Sequence, residues 1–288
     1  MSASDLVPPS ASDLVPPSAS DLVPPSASDL VRLDVTGAVA RLTLARPARH
    51  NALVPELVEG LVAALERIAG ASLDALVLAA DSRSFSTGGD LAGFAAVPRG
   101  ERRAYADRLV GGLNRAILAL IELPFPTIAR VQGPVTGGAL GLVLACDLAA
   151  MSRTAFLAPY YVAVGFAPDG GWTALLPDRI GTARAREIQL LNRHVGADEA
   201  ARLGIVTTAV DPEALDPTVD GWLATLAGHE AGAILATREL LMPAEATARI
   251  AARLAAEKAR FLDMVDEAAV DAGLPRFLNA QRIQKVEP

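Results

Sequence analysis

The stretch from Val131 to Asp169 constrains this chain more than any other. It reads V-Q-G-P-V-T-G-G-A-L-G-L-V-L-A-C-D and, after a short connection, G-F-A-P-D-G-G-W. An apolar strand over 127–131 ends in a glycine-rich turn that opens into a small-residue helix near Gly138. The first turn of such a helix leaves backbone N–H groups without intrahelical acceptors, with the positive end of the helix dipole behind them. Donors held in this way stabilise an oxyanion that develops during a reaction. Downstream stands a lone carboxylate, Asp169, among Pro168, Gly170, Gly171 and Trp172. One carboxylate in apolar surroundings beside an oxyanion site suits proton abstraction next to a carbonyl. The same Asp before Gly-Gly-Trp-Thr could instead cap a helix running through Leu176, and the residues alone leave both roles open.

Composition bounds the partners. The 288 residues are 51% hydrophobic and 20% charged, enough for one sizeable core with an appendage. A formal net charge of −7 gives no attraction to nucleic acid or to an anionic membrane. The single cysteine, Cys146, permits no disulfide within the chain. With no leader-like segment and no eighteen-residue apolar span, the expectation is a cytoplasmic protein.

Three stretches in order carry a family resemblance: S-F-S-T-G-G-D-L at 84–91, V-Q-G-P-V-T-G-G-A-L-G at 131–141, and G-F-A-P-D-G-G-W-T-A-L-L-P-D-R-I-G at 165–181. From about Arg32 to Phe277 the chain resembles the crotonase (enoyl-CoA hydratase/isomerase) superfamily. The resemblance implies an α/β fold, a spiral of ββα units followed by a C-terminal helical region that trimerises. It implies an acyl-CoA thioester as substrate, a homotrimer or dimer of trimers, and no cofactor or metal beyond the coenzyme A carried by the substrate. The backbone N–H groups of Gly89 and Gly138 would form the oxyanion hole, with Asp169 as the working acid–base group. Substrate and CoA contacts would come from Arg46, Arg49 and Ala52 in the R-P-A-R-H-N-A-L loop, from Ser86, Asp90 and Leu91, from Tyr161 and Trp172, and from Phe277 and Lys285 near the C-terminus.

The chain divides into a Pro-rich tail over 1–28, a core over 29–212 and a helical region over 213–288. The tail repeats S-A-S-D-L-V-P-P three times, and a last partial copy leads into the first strand near Leu30. Paired prolines at fixed spacing forbid helix and central strand, so it is read as a flexible repeat expansion. Leu33 to Leu44 alternates around Thr36-Gly37 and predicts a hairpin. Helical spacing runs from Val54 to Ile68, and Leu73 to Ala80 reads as a buried strand. Residues 92–103 are expected to be a mobile loop, and Tyr105 to Leu123 a helix. Helices are expected at about 213–228, 231–240, 243–260 and 261–271, stopping at Gly273-Leu274-Pro275. Arg46 and Asn51 could simply fix their loop, and Phe277 and Lys285 could belong to a solvated tail. His50 and His194 are read as exposed or packing residues.

The resemblance breaks where hydration would need it. Hydratases of this family carry two glutamates, and the glycine and G-F-A-P-D motifs align them with Gly141 and Tyr161. What remains is Asp169, the pattern of isomerases that move an enoyl-CoA double bond, most like the phenylacetate-pathway type. Dehalogenases of the same family use this Asp as a nucleophile together with a His that aligns here with Asn114. Hydration itself, thioester hydrolysis, C–C cleavage and non-catalytic acyl-CoA binding stay open beside these two.

Overall fold

The structure is a computed structural model that describes residues 29–284, with side chains to residue 280. Both the Pro-rich repeat over 1–28 and Lys285 lie outside the described residues.

Among the described residues there are nine strands: β1 (Val31–Thr36), β2 (Val39–Leu44), β3 (Ala75–Ala80), β4 (Thr127–Val131), β5 (Val135–Thr136), β6 (Leu148–Ser152), β7 (Phe156–Ala158), β8 (Val195–Gly196) and β9 (Thr208–Val210). Six of them form one sheet in the order β1-β2-β3-β4-β6-β9, and β5-β7-β8 form a second. The hairpin β1–β2 is antiparallel and turns at Gly37, whose φ of 58° suits glycine. Every later pair in the large sheet is parallel. The partial last repeat copy supplies Val31, which pairs with Leu44 and is buried.

Parallel strands covered on both faces read as unbroken apolar runs, and β3 shows why. Leu76 and Leu78 join the main core, whereas Val77 packs with Ile128, Ala150, Leu215 and Val219 on the other face. That second face is covered by a helix from the C-terminal region, α9 below.

Twelve helices complete the described residues: α1 (Pro55–Ile68), α2 (Leu91–Ala96), α3 (Arg99–Glu122), α4 (Leu140–Leu144), α5 (Tyr161–Val164), α6 (Leu176–Ile180), α7 (Thr182–Leu190), α8 (Ala197–Leu203), α9 (Leu215–Ala227), α10 (Ala231–Leu241), α11 (Ala244–Met264) and α12 (Ala268–Gln284). In α1, Pro55 stands in the first turn, and Leu57, Leu61, Leu65 and Ile68 form its buried stripe. In α11, Ile250, Leu254 and Leu262 belong to the main core, so this helix packs on the body of its own chain.

Three expectations are corrected. Residues 92–103 are not a loop: Asp90 caps α2 by accepting the Gly93 N–H at 2.9 Å, and α3 begins at Arg99. The last helices do not end at Gly273-Leu274-Pro275. The break falls between α11 and α12, and α12 carries Pro275 inside it. No helix opens at Pro168 either. Gly170 and Gly171 have φ of 59° and 87°, outside the helical region, and α6 starts only at Leu176.

Candidate active site

The two glycine loops meet at one cavity of about 510 Å³. Gly89 comes from the loop after β3, and Gly138 from a 3₁₀ turn, Gly137–Ala139, that leads into α4. A parallel bridge joins Leu53 to Gly89: Leu53 N–H donates to Gly88 O at 2.7 Å, and Asp90 N–H donates to Leu53 O at 2.9 Å. In that pattern the Gly89 N–H faces away from Leu53, as alternate groups on a strand do. A second bridge, Ser86 to Val135, ties this loop to the Gly138 turn. Gly138 stands in the first turn of its helical segment, where N–H groups lack intrahelical acceptors. Gly89, Gly137 and Gly138 all line the cavity.

Asp169 lines it too, although the residue is only 8% exposed. Tyr161, from α5, donates its phenolic hydrogen to Asp169 Oδ1 and lies 3.0 Å from the Asp169 backbone oxygen. Burial pushes the Asp169 carboxyl up to about 7; the Tyr161 hydrogen bond opposes this and the charge of Glu257 adds to it. Burial, and then the neighbouring Asp169 charge, push the Tyr161 phenol well above its ordinary range, so it remains a donor. The carboxylate is therefore not an N-cap.

The turn after Asp169 is held from elsewhere. Glu257 on α11 accepts the N–H groups of Gly171 (2.8 Å), Thr173 (2.6 Å) and Ala174 (2.9 Å), and the Thr173 hydroxyl (2.6 Å). Sequence reasoning missed this residue. A signal existed: Ile250, Leu254 and Glu257 are spaced i, i+4, i+7, so a carboxylate occupies the buried stripe of α11.

A second cavity carboxylate, Asp90, has the opposite character. Burial works against its charge, but the Gly93 N–H, Arg49 and Arg46 outweigh that and hold it below the usual carboxylate range. Arg46 Nη1 lies 2.9 Å from Asp90 Oδ2, and Arg49 Nη2 lies 2.9 Å from Oδ1. Both arginines expected at phosphates are thus paired with one carboxylate. The environments of the two cavity carboxyls thus push them in opposite directions.

The expected contact residues fall into two sets. Arg49, Ala52, Asp90, Leu91, Tyr161 and Phe277 line the cavity, Phe277 packing against Tyr160 with ring centroids 5.1 Å apart. Arg46, Ser86 and Trp172 do not line it. Ser86 is fully buried and donates its hydroxyl to Asn51 O at 2.7 Å. Trp172 is 1% exposed and its Nε1–H donates to Gly137 O at 2.7 Å, so it braces the Gly137–Gly138 turn from behind. Asn51 Oδ1 accepts the Arg46 N–H at 2.8 Å, fixing that loop. His50 lines the cavity, whereas His194 is exposed and stacks on Phe156 at 5.0 Å. One wall of the cavity is aromatic: Phe166 stacks on Phe261 at 4.7 Å and meets Phe94 edge-on at 5.5 Å.

The positions of the hydratase glutamates are closed. A side chain at Gly141 would run into Gly170 O and Ile117, and Tyr161 fills the other position. The aligned dehalogenase position, Asn114, does not line the cavity; its Nδ2 donates to Leu254 O at 3.0 Å.

Among the described residues, no group of His, Cys, Asp and Glu could hold a metal ion, and no helix is long and apolar enough to cross a membrane.

A family model for enoyl-CoA hydratase/isomerase matches residues 34–284. The chain is 35% identical over 224 residues to a protein of Mycobacterium bovis named a probable enoyl-CoA hydratase, covering 76% of this chain and 79% of that one. It is 36% identical over 172 residues to 4-chlorobenzoyl coenzyme A dehalogenase-2 of an Arthrobacter species, covering 59% and 62% respectively. The solved structure of an enoyl-CoA hydratase from Bacillus halodurans superposes with a TM-score of 0.80 at 24% identity, covering 86% of this chain and 99% of that one, and has the same fold.

Proposed function

This chain belongs to the enoyl-CoA hydratase/isomerase family, with the crotonase α/β fold and the family's action on acyl-CoA thioesters, and we propose that within it the protein is an isomerase that moves an enoyl-CoA double bond. The observation that supports this reading is the pairing of one neutralisable carboxylate, Asp169, with the Gly89–Gly138 oxyanion donors, while both glutamate positions used for hydration are closed.

The chemistry follows from that geometry. A 3-enoyl thioester places its carbonyl oxygen between the Gly89 and Gly138 N–H groups. Asp169 removes a proton from the α-carbon; the electron pair moves through the chain to the thioester oxygen, giving a dienolate. The two N–H donors stabilise the oxygen charge as it forms. Asp169, now protonated, returns the proton at the γ-carbon, and the double bond ends conjugated with the thioester. A carboxyl poised near 7 can both take and release a proton at neutral pH. The Tyr161 hydroxyl steadies the carboxylate in the ionised half of the cycle. The reaction needs no cofactor or metal; coenzyme A enters as part of the substrate. Phe94, Phe166 and Phe261 give the acyl chain an apolar wall.

Assembly and location belong to the same reading. Leu240, Leu241 and Met242 are exposed at the end of α10, and packing of the C-terminal helices into a homotrimer or dimer of trimers would cover them. A cytoplasmic enzyme with no nucleic-acid or membrane partner fits the charge of −7.

The deciding experiment presents a panel of straight-chain and ring-bearing 3-enoyl-CoA thioesters in deuterated buffer. Conversion to the 2-enoyl product is expected, with deuterium entering at the α- or γ-carbon to the extent that Asp169 exchanges its proton with solvent before returning it. No conversion and no exchange with any member would overturn the isomerase reading in favour of binding alone. Chloride release from 4-chlorobenzoyl-CoA would favour the dehalogenase reading.

A further inference from the structure

Glu257 is 5% exposed, and its carboxylate accepts four hydrogen bonds. It does not line the cavity. A buried carboxylate loses its hydration, a cost that only close hydrogen bonds or an opposite charge offset. An ordinary Ser or Asn cap would hold a surface turn without that cost, so the charge at this place calls for a further reason. The turn it holds follows directly on Asp169. Gly170 in that turn sits so tightly on Gly138 that a Cβ on it would run into the Gly138 carbonyl and Cα. A Cβ on Gly138 would in turn lie 2.8 Å from Asp169 Oδ1. Base and oxyanion donor are thus in register through one turn, and Glu257 ties that turn to α11.

Resting on the isomerase reading, we propose that Glu257 is a positioning residue: from the C-terminal helical region it fixes the Asp169 carboxyl against the Gly138 donor. Its charge gives the role a readout that a plain helix cap lacks. An anion beside Asp169 disfavours ionisation of that carboxyl. The cations near Glu257 on α11 are engaged elsewhere, Arg253 with Asp178 at 2.9 Å and Lys258 with Asp107 at 3.0 Å. Across from it, α3 presents Asn114, which donates to Leu254 O, and α5 presents Tyr161, which donates to Asp169.

The test uses the full chain with carbon-13-labelled aspartate, the Asp169 resonance being assigned by its loss in Asp169→Asn. Its carboxyl is titrated in the parent, in Glu257→Gln and in Glu257→Asp, and turnover of 3-hexenoyl-CoA is measured alongside. In Glu257→Gln the Asp169 titration should move to lower pH and the acid limb of kcat/KM should move with it. The kcat should fall about tenfold or more with KM nearly unchanged, as for a misplaced catalytic group. Glu257→Asp keeps the charge but shortens the reach, so kcat should fall while the titration stays near that of the parent. An unchanged Asp169 titration and unchanged kcat in Glu257→Gln, with only the melting temperature lowered, would make Glu257 a structural cap and overturn the proposal. If the Gln variant does not fold, parent-like kcat in Glu257→Asp overturns it equally. The titration is read without substrate, so it decides the role of Glu257 even where the parent converts no 3-enoyl-CoA and the isomerase reading itself fails.

Discussion

Tyr161 donates its phenolic hydrogen to Oδ1 of Asp169, eight residues along the chain, across the floor of the cavity. The bond gathers two sequence oddities into one device. The residue in place of a hydratase glutamate now holds the remaining carboxylate. Removing the hydroxyl should therefore change the base rather than the fold. In Tyr161→Phe the desolvation of Asp169 loses its main opponent, so the carboxyl rises further above about 7. The acid limb of kcat/KM should move to higher pH and activity at neutral pH should fall. An acid limb that stays in place would show that the hydroxyl does not control the base.

Asp169→Asn keeps the size and still accepts from Tyr161 but cannot shuttle a proton. Turnover should fall at least about a hundredfold, the low end for loss of a general base, with deuterium exchange at the substrate carbons falling in parallel. Acyl-CoA binding should persist. Parent-like turnover in this variant would put the base elsewhere.

The same variant should be more stable than its parent at alkaline pH. Asp169 in the folded chain keeps its proton up to about 7, whereas in the unfolded chain it loses it near the ordinary value of 3.8. Between those values the unfolded state binds fewer protons, so this group makes stability fall as pH rises. The Asn variant is free of that loss, worth up to about 4 kcal/mol above neutrality. Melting temperatures measured from pH 4 to 8 should show a gap that opens with pH. A constant gap would contradict the raised carboxyl.

Gly138 has no room for a side chain: a Cβ there would lie 2.8 Å from both Asp169 Oδ1 and Leu113 Cδ2. Even Gly138→Ala must push the base aside, and a displacement near 1 Å costs about a hundredfold in rate. The overpacking should also lower stability by about 1–3 kcal/mol. Kinetics and chemical denaturation of the Ala variant measure both, and turnover within twofold of the parent would remove Gly138 from the mechanism.

Crotonyl-CoA should be hydrated slowly or not at all, because Gly141 has no room for a side chain and Tyr161 donates to Asp169. Hydration at rates typical of enzymes, on the order of tens per second, would refute the assignment of those two positions.

The sequence by itself determined what rests on local pattern. The β1–β2 hairpin, the fully apolar β3 and the amphipathic α1 follow from periods of two and of 3.6 residues that any chain must obey. The strand–glycine–helix run pointed to Gly138, because backbone N–H groups at a helix start need no distant partner, and the family resemblance pointed to Gly89 and Asp169. Only the tertiary structure decided which groups these residues meet. Asp90 takes both Arg46 and Arg49, more than forty positions away, a pairing that no local pattern announces. Trp172, close to Asp169 in sequence, turns behind the Gly137–Gly138 loop. Asp169 could also be read as a helix cap, but the positive φ of Gly170 and Gly171 turns the chain away and Glu257, more than eighty positions on, takes backbone donors of that turn. A hydrogen bond or a desolvation shift depends on which atoms lie within a few ångströms, and that is a property of the folded chain rather than of its neighbours in sequence.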